Sequence, residues 1–298
     1  RGTVFDIVGC QVAVCAPSRS SLLTGLSPET LGIYDFSHYG AIKHFRTIPS
    51  HFHRKGYATA MAGKIFHWES DRHWSHGYYG FPQWDTVHAE ELKFENSSVT
   101  PDKYRPERGF YRDSRIIEHA SRFLGELEEE SESMRRTENR HQPWFLAVGL
   151  KGTHMQYQMP HRYWKQYADM DVAAMTGLTD PTMFRYPLSA PIIGAVKKTE
   201  ATSVLFMEDE GGKPGRDRES YQRRGHGRTI SPRAWAELYR GYLACLSYAD
   251  AQLGILLDAL ESRPGLQENT IIVFAADHGM HVGEKGVWGK WSLFDEAS

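Results

Sequence analysis

Two short runs constrain this chain more than any other feature. Residues 143–150 read Pro-Trp-Phe-Leu-Ala-Val-Gly-Leu, and residues 270–276 read Thr-Ile-Ile-Val-Phe-Ala-Ala. Neither alternates apolar with polar, as a strand with one wet face would. A strand that is apolar on both sides has to be covered on both sides. That requirement points to an α/β chain with a mostly parallel central sheet sandwiched by helices. Each run is also followed closely by residues that carry chemistry, His154 after the first and Asp277-His278-Gly279 after the second.

The rest of the chain supplies matching pieces. Thr3–Val8 is short, β-branched and apolar, and is expected to be a strand. A helix is expected from Ile48 to Lys55, started near Thr47 and stopped by Gly56, with a buried strand from Tyr57 to Ala62 that ends at Gly63-Lys64. Ile116, Ile117, Ala120, Phe123, Leu124 and Leu127 recur at helical spacing within 111–130. A short helix is expected over 159–168. Pro232–Glu261 is the strongest helix signal, with Trp235, Leu238, Tyr239, Tyr242, Leu246, Leu253, Leu256, Leu257 and Leu260 on one stripe, and that stripe reads as core. Residues 73–106 and 207–231 lack periodicity and read as long loops.

Composition narrows the partners. The 298 residues are 40% hydrophobic and 24% charged, with a formal net charge of -2, so no basic surface calls for nucleic acid. Three cysteines do not make a disulfide framework. No apolar run of residues approaches the roughly 20 of a membrane span. No repeat or linker divides the chain, and a single α/β domain over 1–298 is expected.

One stretch concentrates reactive potential: Cys15-Ala16-Pro17-Ser18-Arg19-Ser20-Ser21-Leu22-Leu23-Thr24-Gly25. Pro17 suits a first helical turn, the serines favour a helix start, Leu22 and Leu23 offer an apolar side, and Gly25 ends the helix. Cys15 then sits at a helix N-terminus, where free N–H groups and the helix dipole favour an anion. Arg19, one turn on, adds a fixed charge and a planar donor fork. Taken alone, Cys15 reads first as a small buried hydrophobe and second as a redox thiol, for which no Cys-x-x-Cys partner exists.

This stretch resembles the type I sulfatase motif, in which the cysteine is oxidised after synthesis to formylglycine. Three further matches extend the likeness over most of the chain and bring it nearest the iduronate-2-sulfatase branch. Leu31-Gly32-Ile33-Tyr34-Asp35-Phe36 is one, and Gly63-Lys64-Ile65-Phe66-His67 is the second. The third is Ser247-Tyr248-Ala249-Asp250, then Asp277-His278-Gly279, Gly283-Glu284 and Trp288-Gly289-Lys290. Most sulfatases carry Asp-Asn where this chain has Asp277-His278, which favours that branch. Lys151-Gly152-Thr153-His154 departs from the family's usual Lys-Pro-His and leaves Lys151 without a role.

The resemblance implies an alkaline phosphatase-like sulfatase fold and hydrolysis of a sulfate ester, on a sulfated sugar or glycosaminoglycan. It implies formylglycine at position 15, whose hydrate attacks sulfur and then expels sulfate. It also implies one Ca²⁺ held by residue 15, Asp277 and His278. Lys64 and Lys290 would hold sulfate oxygens, Arg19 with His67 would stabilise the diol, and His154 would protonate the leaving oxygen. A formylglycine-generating enzyme is the implied biosynthetic partner, and the lysosome, periplasm or extracellular space the implied location. The family places two more metal-binding aspartates upstream of the cysteine motif, while the stretch before Cys15 holds only Asp6. The sequence is therefore expected to be truncated at both ends, without the first metal-binding strand and the C-terminal subdomain, and inactive by itself. The alternatives are a phosphonate or phosphate monoester hydrolase of the same superfamily and a non-catalytic protein that binds sulfated glycans.

Overall fold

A computed structural model describes residues 2–67, 99–102, 111–138, 143–154, 157–176, 232–284, 288–290, 292 and 294–298. The expected loop at 207–231 lies outside the described residues, as does 73–106 apart from 99–102. The chain divides into two compact units, Arg1–Leu92 with Glu107–Gly152 and Tyr248–His278, and Lys93–Pro106 with Thr153–Ser247 and Gly279–Ser298.

The first unit opens with α1 (Cys15–Thr24), α2 (Pro28–Leu31), a 3₁₀ turn (Tyr39–His44), α3 (Ile48–Arg54) and β1 (Ala58–Gly63). In the second unit β2 (Val99–Asp102) follows. The first unit resumes with α4 (Arg112–Glu138) and β3 (Trp144–Gly149). β1 and β3 pair in parallel from Ala58↔Trp144 to Gly63↔Gly149. Successive side chains of a strand point to opposite faces, and these two strands use both. Ala60, Ala62, Leu146 and Val148 pack with Ile116, Ala120, Phe123, Leu124 and Leu127 of α4. Met61, Phe145 and Ala147 pack on the other side against Ala16, Leu23, Leu31, Ile33, Tyr39, Ile42 and Phe66. Each buried Leu or Phe in these layers contributes about 1.5–3 kcal/mol. The expected helix–sheet–helix layering is therefore present.

The strand ends touch. Gly63 has φ +76°, and a Cβ there would strike the Gly149 carbonyl, while a Cβ on Gly149 would run into the Lys64 backbone. The Lys64 N–H donates to Gly149 O at 2.9 Å. Only glycine at both places lets the chain turn out of the sheet at Lys64.

The second unit continues with β4 (Tyr157–Pro160), parallel to β2, and with α5 (His161–Lys165) and α6 (Val172–Thr176). α7 (Pro232–Glu261) has its first half in this unit and its second in the first unit; α8 (Pro264–Gln267) lies in the first unit. β5 (His281–Val282) and β6 (Trp288–Gly289) form an antiparallel pair. The Trp235 indole N–H at the head of α7 donates to Val282 O at 2.7 Å. By length and composition alone, Trp235–Glu261 would also suit a membrane span.

Several expectations are corrected. Thr270–Ala276 forms no regular element and joins no ladder among the described residues, and its apolar side chains from Ile271 to Phe274 are 60–89% exposed. Thr3–Val8 is likewise unpaired chain, with Ile7 97% exposed. Both have strand-forming side chains, but a strand exists only where a neighbour takes its N–H and C=O groups. The helix expected over 159–168 is shorter, because Pro160 pushes Met159 into β conformation and the helix starts after it. Leu22 faces outward and Leu23 inward. On α7 the buried line runs through Trp235, Leu238, Cys245, Tyr248 and Leu260, and Leu246 lies off it.

Candidate active site

The first group of site residues is built on α1. Val14 stands at its N-cap with extended backbone and no side-chain cap, so Cys15 opens the helix. Ser20 Oγ donates to Ala16 O at 2.7 Å, and Thr24 Oγ1 to Ser20 O at 2.7 Å. These two hydroxyls are satisfied within the helix itself. Gly25 closes the helix at φ +71°. Cys15 is 1% exposed.

Asp277 and His278 follow the 270–276 segment and meet α1. Cys15 Sγ is 3.2 Å from His278 Nε2, and His278 Nε2 is 3.7 Å from Asp277 Oδ2. Ser18, a residue with no expected role, donates its hydroxyl to the Asp277 carbonyl. Nothing in the sequence separated Ser18 from an ordinary helix-start serine.

Arg19 joins two distant segments of the chain. Its Nε donates to Asp277 Oδ2 at 2.8 Å, and its NH1 donates to the carbonyls of Lys64 and of Ile65, the latter at 3.1 Å. The guanidinium thus ties the chain leaving β1 to the chain that delivers Asp277. Charge-assisted contacts of this kind are the stronger class of hydrogen bond. Burial pushes the Asp277 carboxyl up. The charges of Arg19, His278 and Lys64, with the Arg19 hydrogen bond, outweigh burial and hold it below the usual aspartate value. Asp277 is therefore a carboxylate in a cationic surround.

Lys64 lies just past the β1–β3 glycine contact. His67 is placed by aromatic neighbours: its N–H donates to the Tyr39 hydroxyl at 2.8 Å and its ring stacks on Phe36 at 4.5 Å. Phe36 closes the Leu31–Phe36 match, and its stacking gives that match a physical use. Asp113 was also missed by sequence reasoning. Its buried carboxylate accepts from the Lys151 N–H at 2.9 Å and the Gly152 N–H at 2.8 Å. An acidic residue in a first helical turn reads as a dipole partner, which hid this role.

In the second unit Lys290, 3% exposed, follows β6 and places Nζ 3.2 Å from His154 Nε2. With Lys290 as an ammonium, which can only donate, Nε2 would accept and the ring proton would lie on Nδ1. Thus Cys15, Arg19, Lys64, Asp277 and His278 come together in one unit, and Lys290 and His154 in the other.

The implied calcium can be tested on the donors. One ligand atom each from Cys15, Asp277 and His278 lies within 4.8 Å of the others. Ca²⁺ takes 6–8 oxygen ligands at about 2.3–2.6 Å. A thiol sulfur, an imidazole nitrogen and one carboxylate do not meet that demand, so with cysteine at position 15 the set does not fit Ca²⁺.

Known proteins place the chain. Iduronate 2-sulfatase of Homo sapiens is 30% identical over 317 residues, covering 99% of this chain and 52% of its own length. The Mus musculus enzyme is 29% identical, covering 100% and 52%. Choline-sulfatase of Rhizobium meliloti is 25% identical over 306 residues, covering 95% and 51%. The chain therefore spans about half the length of the curated relatives it matches. Two solved structures share the fold. One, from work on glycosaminoglycan metabolism by Bacteroides thetaiotaomicron, has a TM-score of 0.50 at 18% identity, covering 94% of this chain and 52% of that one. The other, a protein in complex with its substrate D-glucosamine-2-N,6-O-disulfate, has a TM-score of 0.50 at 21% identity, covering 98% and 61%. The family model described as Sulfatase matches residues 1–298, and the chain, with its cysteine at the head of α1 and Asp277-His278 against it, belongs to the sulfatase family.

Proposed function

We propose that the full protein carrying this chain hydrolyses a sulfate ester of a sulfated sugar, in the manner of the iduronate 2-sulfatases, with residue 15 in its formylglycine form. The observation that carries the reading is the cluster at the head of α1. There Cys15 and Asp277 both approach His278 Nε2, with Arg19 bound to Asp277. The reaction explains the need for such a place. A sulfate ester repels an anionic nucleophile and has a poor alkoxide leaving group, so positive charge and a proton donor have to be fixed beforehand. Formylglycine, when present, supplies an oxygen nucleophile that can afterwards let sulfate go, which a thiol cannot do.

The chain's own residues divide the remaining work. Arg19 keeps Asp277 ionised and oriented, and Phe36 and Tyr39 orient His67. Lys64 and Lys290 bind sulfate oxygens. His154, held within hydrogen-bond reach of Lys290, protonates the departing oxygen, while Lys290 keeps its charge. A calcium ion belongs to this reading only after oxidation has replaced the sulfur at position 15 with oxygen. The same reading calls for a formylglycine-generating enzyme in the host and for work in the lysosome, the periplasm or outside the cell.

The test is made on the full-length protein from its native host. Mass spectrometry of the tryptic peptide Gly2–Arg19 is expected to show an aldehyde at position 15. Matched aryl sulfate and aryl phosphate are expected to differ at least about a hundredfold in kcat/KM in favour of sulfate. Cys15→Ala is expected to lower sulfate turnover by about a thousandfold or more. Faster phosphate turnover would instead mark a phosphate or phosphonate hydrolase. A thiol at position 15 without turnover would mark a glycan-binding protein.

A further inference from the structure

The mismatch with calcium points to another occupant. We propose that the unmodified chain, with cysteine at position 15, binds a borderline transition-metal dication such as Zn²⁺ at Cys15, Asp277 and His278, and discriminates against Ca²⁺ there. This does not rest on sulfate-ester hydrolysis, since the donors would act in the same way whatever reaction the whole protein performs.

The chemistry of the set comes first. Thiolate, imidazole and carboxylate together are characteristic ligands of zinc, and thiolate selects against hard cations. Geometry comes second. Bonds of about 2.3 Å to sulfur and about 2.0–2.1 Å to nitrogen and oxygen, at tetrahedral angles, would set neighbouring donors roughly 3.3–3.6 Å apart. Cys15 Sγ and His278 Nε2 stand at 3.2 Å, His278 Nε2 and Asp277 Oδ2 at 3.7 Å, and all three ligand atoms lie within 4.8 Å of one another. Movements of a few tenths of an ångström bring the two edges at His278 to that spacing, and the Cys15–Asp277 edge closes from within 4.8 Å.

The set also carries its own countercharge. On binding, the Cys15 thiol gives its proton to solvent, and thiolate plus carboxylate neutralise the dication. The N-terminus of α1 favours that thiolate. Arg19 holds Asp277 Oδ2, the oxygen that also faces His278, and an ionised carboxylate oxygen has lone pairs enough to serve both Arg19 and an ion. Among the described residues the set supplies three ligands to such an ion. The position that oxidation turns into oxygen is therefore the one that decides which metal is held.

The experiment uses the full chain produced in a host without the modifying enzyme, with the thiol at position 15 verified by mass. Co²⁺ serves as the spectroscopic probe. One equivalent is expected to give a thiolate-to-cobalt charge-transfer band in the near ultraviolet, which Zn²⁺ displaces and Ca²⁺ does not. Chelator competition is expected to show Zn²⁺ binding at least about a hundredfold more tightly than Ca²⁺. Cys15→Ser should abolish the band, and His278→Ala should weaken Zn²⁺ by tenfold or more. A protein with both Cys10→Ser and Cys245→Ser should keep the band. X-ray absorption at the zinc edge of the wild-type chain, which needs no variant, should show one sulfur neighbour. The proposal is overturned if the band survives Cys15→Ser or vanishes only with the other cysteines, if the zinc has no sulfur neighbour, or if Ca²⁺ competes on equal terms. A sulfatase assay on the modified protein would be unmoved by any of these failures.

Discussion

The β1–β3 pair and the segment 270–278 are built from the same kinds of residue, yet they live in opposite environments. In the first, Ala60 and Ala62 are buried and Leu146 and Val148 pack into the layer under α4. In the second, Ile271, Val273 and Phe274 are at least 80% exposed. Both nevertheless deliver site residues from their C-terminal ends, Lys64 from one and Asp277 with His278 from the other. Apolarity tells a chain which segments are able to be strands, and pairing decides which of them are. The site needs only that the delivering ends be fixed. One end is fixed by a glycine contact in the sheet and the other by Ser18 and Cys15, and Arg19 ties the two together.

The sharpest way to break this comparison is at the paired end. Gly149→Ala places a methyl group inside the Lys64 backbone. It is expected to cost about 3 kcal/mol or more, read as a lower urea midpoint, because backbone, unlike a side-chain tip, does not give way. A cost under about 1 kcal/mol would mean that the strand ends do not touch as described. Arg19→Lys comes next. Lysine cannot reach Asp277 and two carbonyls with one point charge, so about 2 kcal/mol is expected to be lost. Hydrogen exchange should then rise around 277–278 while β1 stays protected. Equal loss of protection in β1 would show that the two regions are not separately anchored. Asp113→Asn is smaller, about 1.5 kcal/mol, since the amide keeps one acceptor for Lys151 or Gly152 and sets an N–H against the other. Exchange at those two amides reads it directly.

These positions also show where sequence reasoning reaches its limit. The helix Pro232–Glu261 and the strand around 58–63 were legible, because hydrophobic period and glycine or proline punctuation are local signals. The cluster of Cys15, Asp277 and His278 was legible through motif resemblance. Its internal order was not: nothing local says that Arg19 would turn to Asp277 and two carbonyls, or that Asp113 would hold the turn after β3. Those are contacts between residues far apart in sequence, fixed by packing. The exposed state of 270–276 was hidden for the same reason, since a strand's partner is not written in the strand.

The smallest effect separates the two regions most cleanly. Leu146 packs into both layers under α4, so Leu146→Ala is expected to cost about 2 kcal/mol through lost burial and a cavity. Ile271→Ser and Val273→Ser remove comparable apolar surface from side chains that already lie 89% and 84% open to water. Each is expected to change stability by less than about 0.5 kcal/mol. Both should raise solubility, because contiguous exposed apolar side chains favour association between copies. If Val273→Ser instead costs as much as Leu146→Ala, water does not reach that side chain. The segment would then be a covered strand like β3, and the contrast would reduce to a single kind of strand.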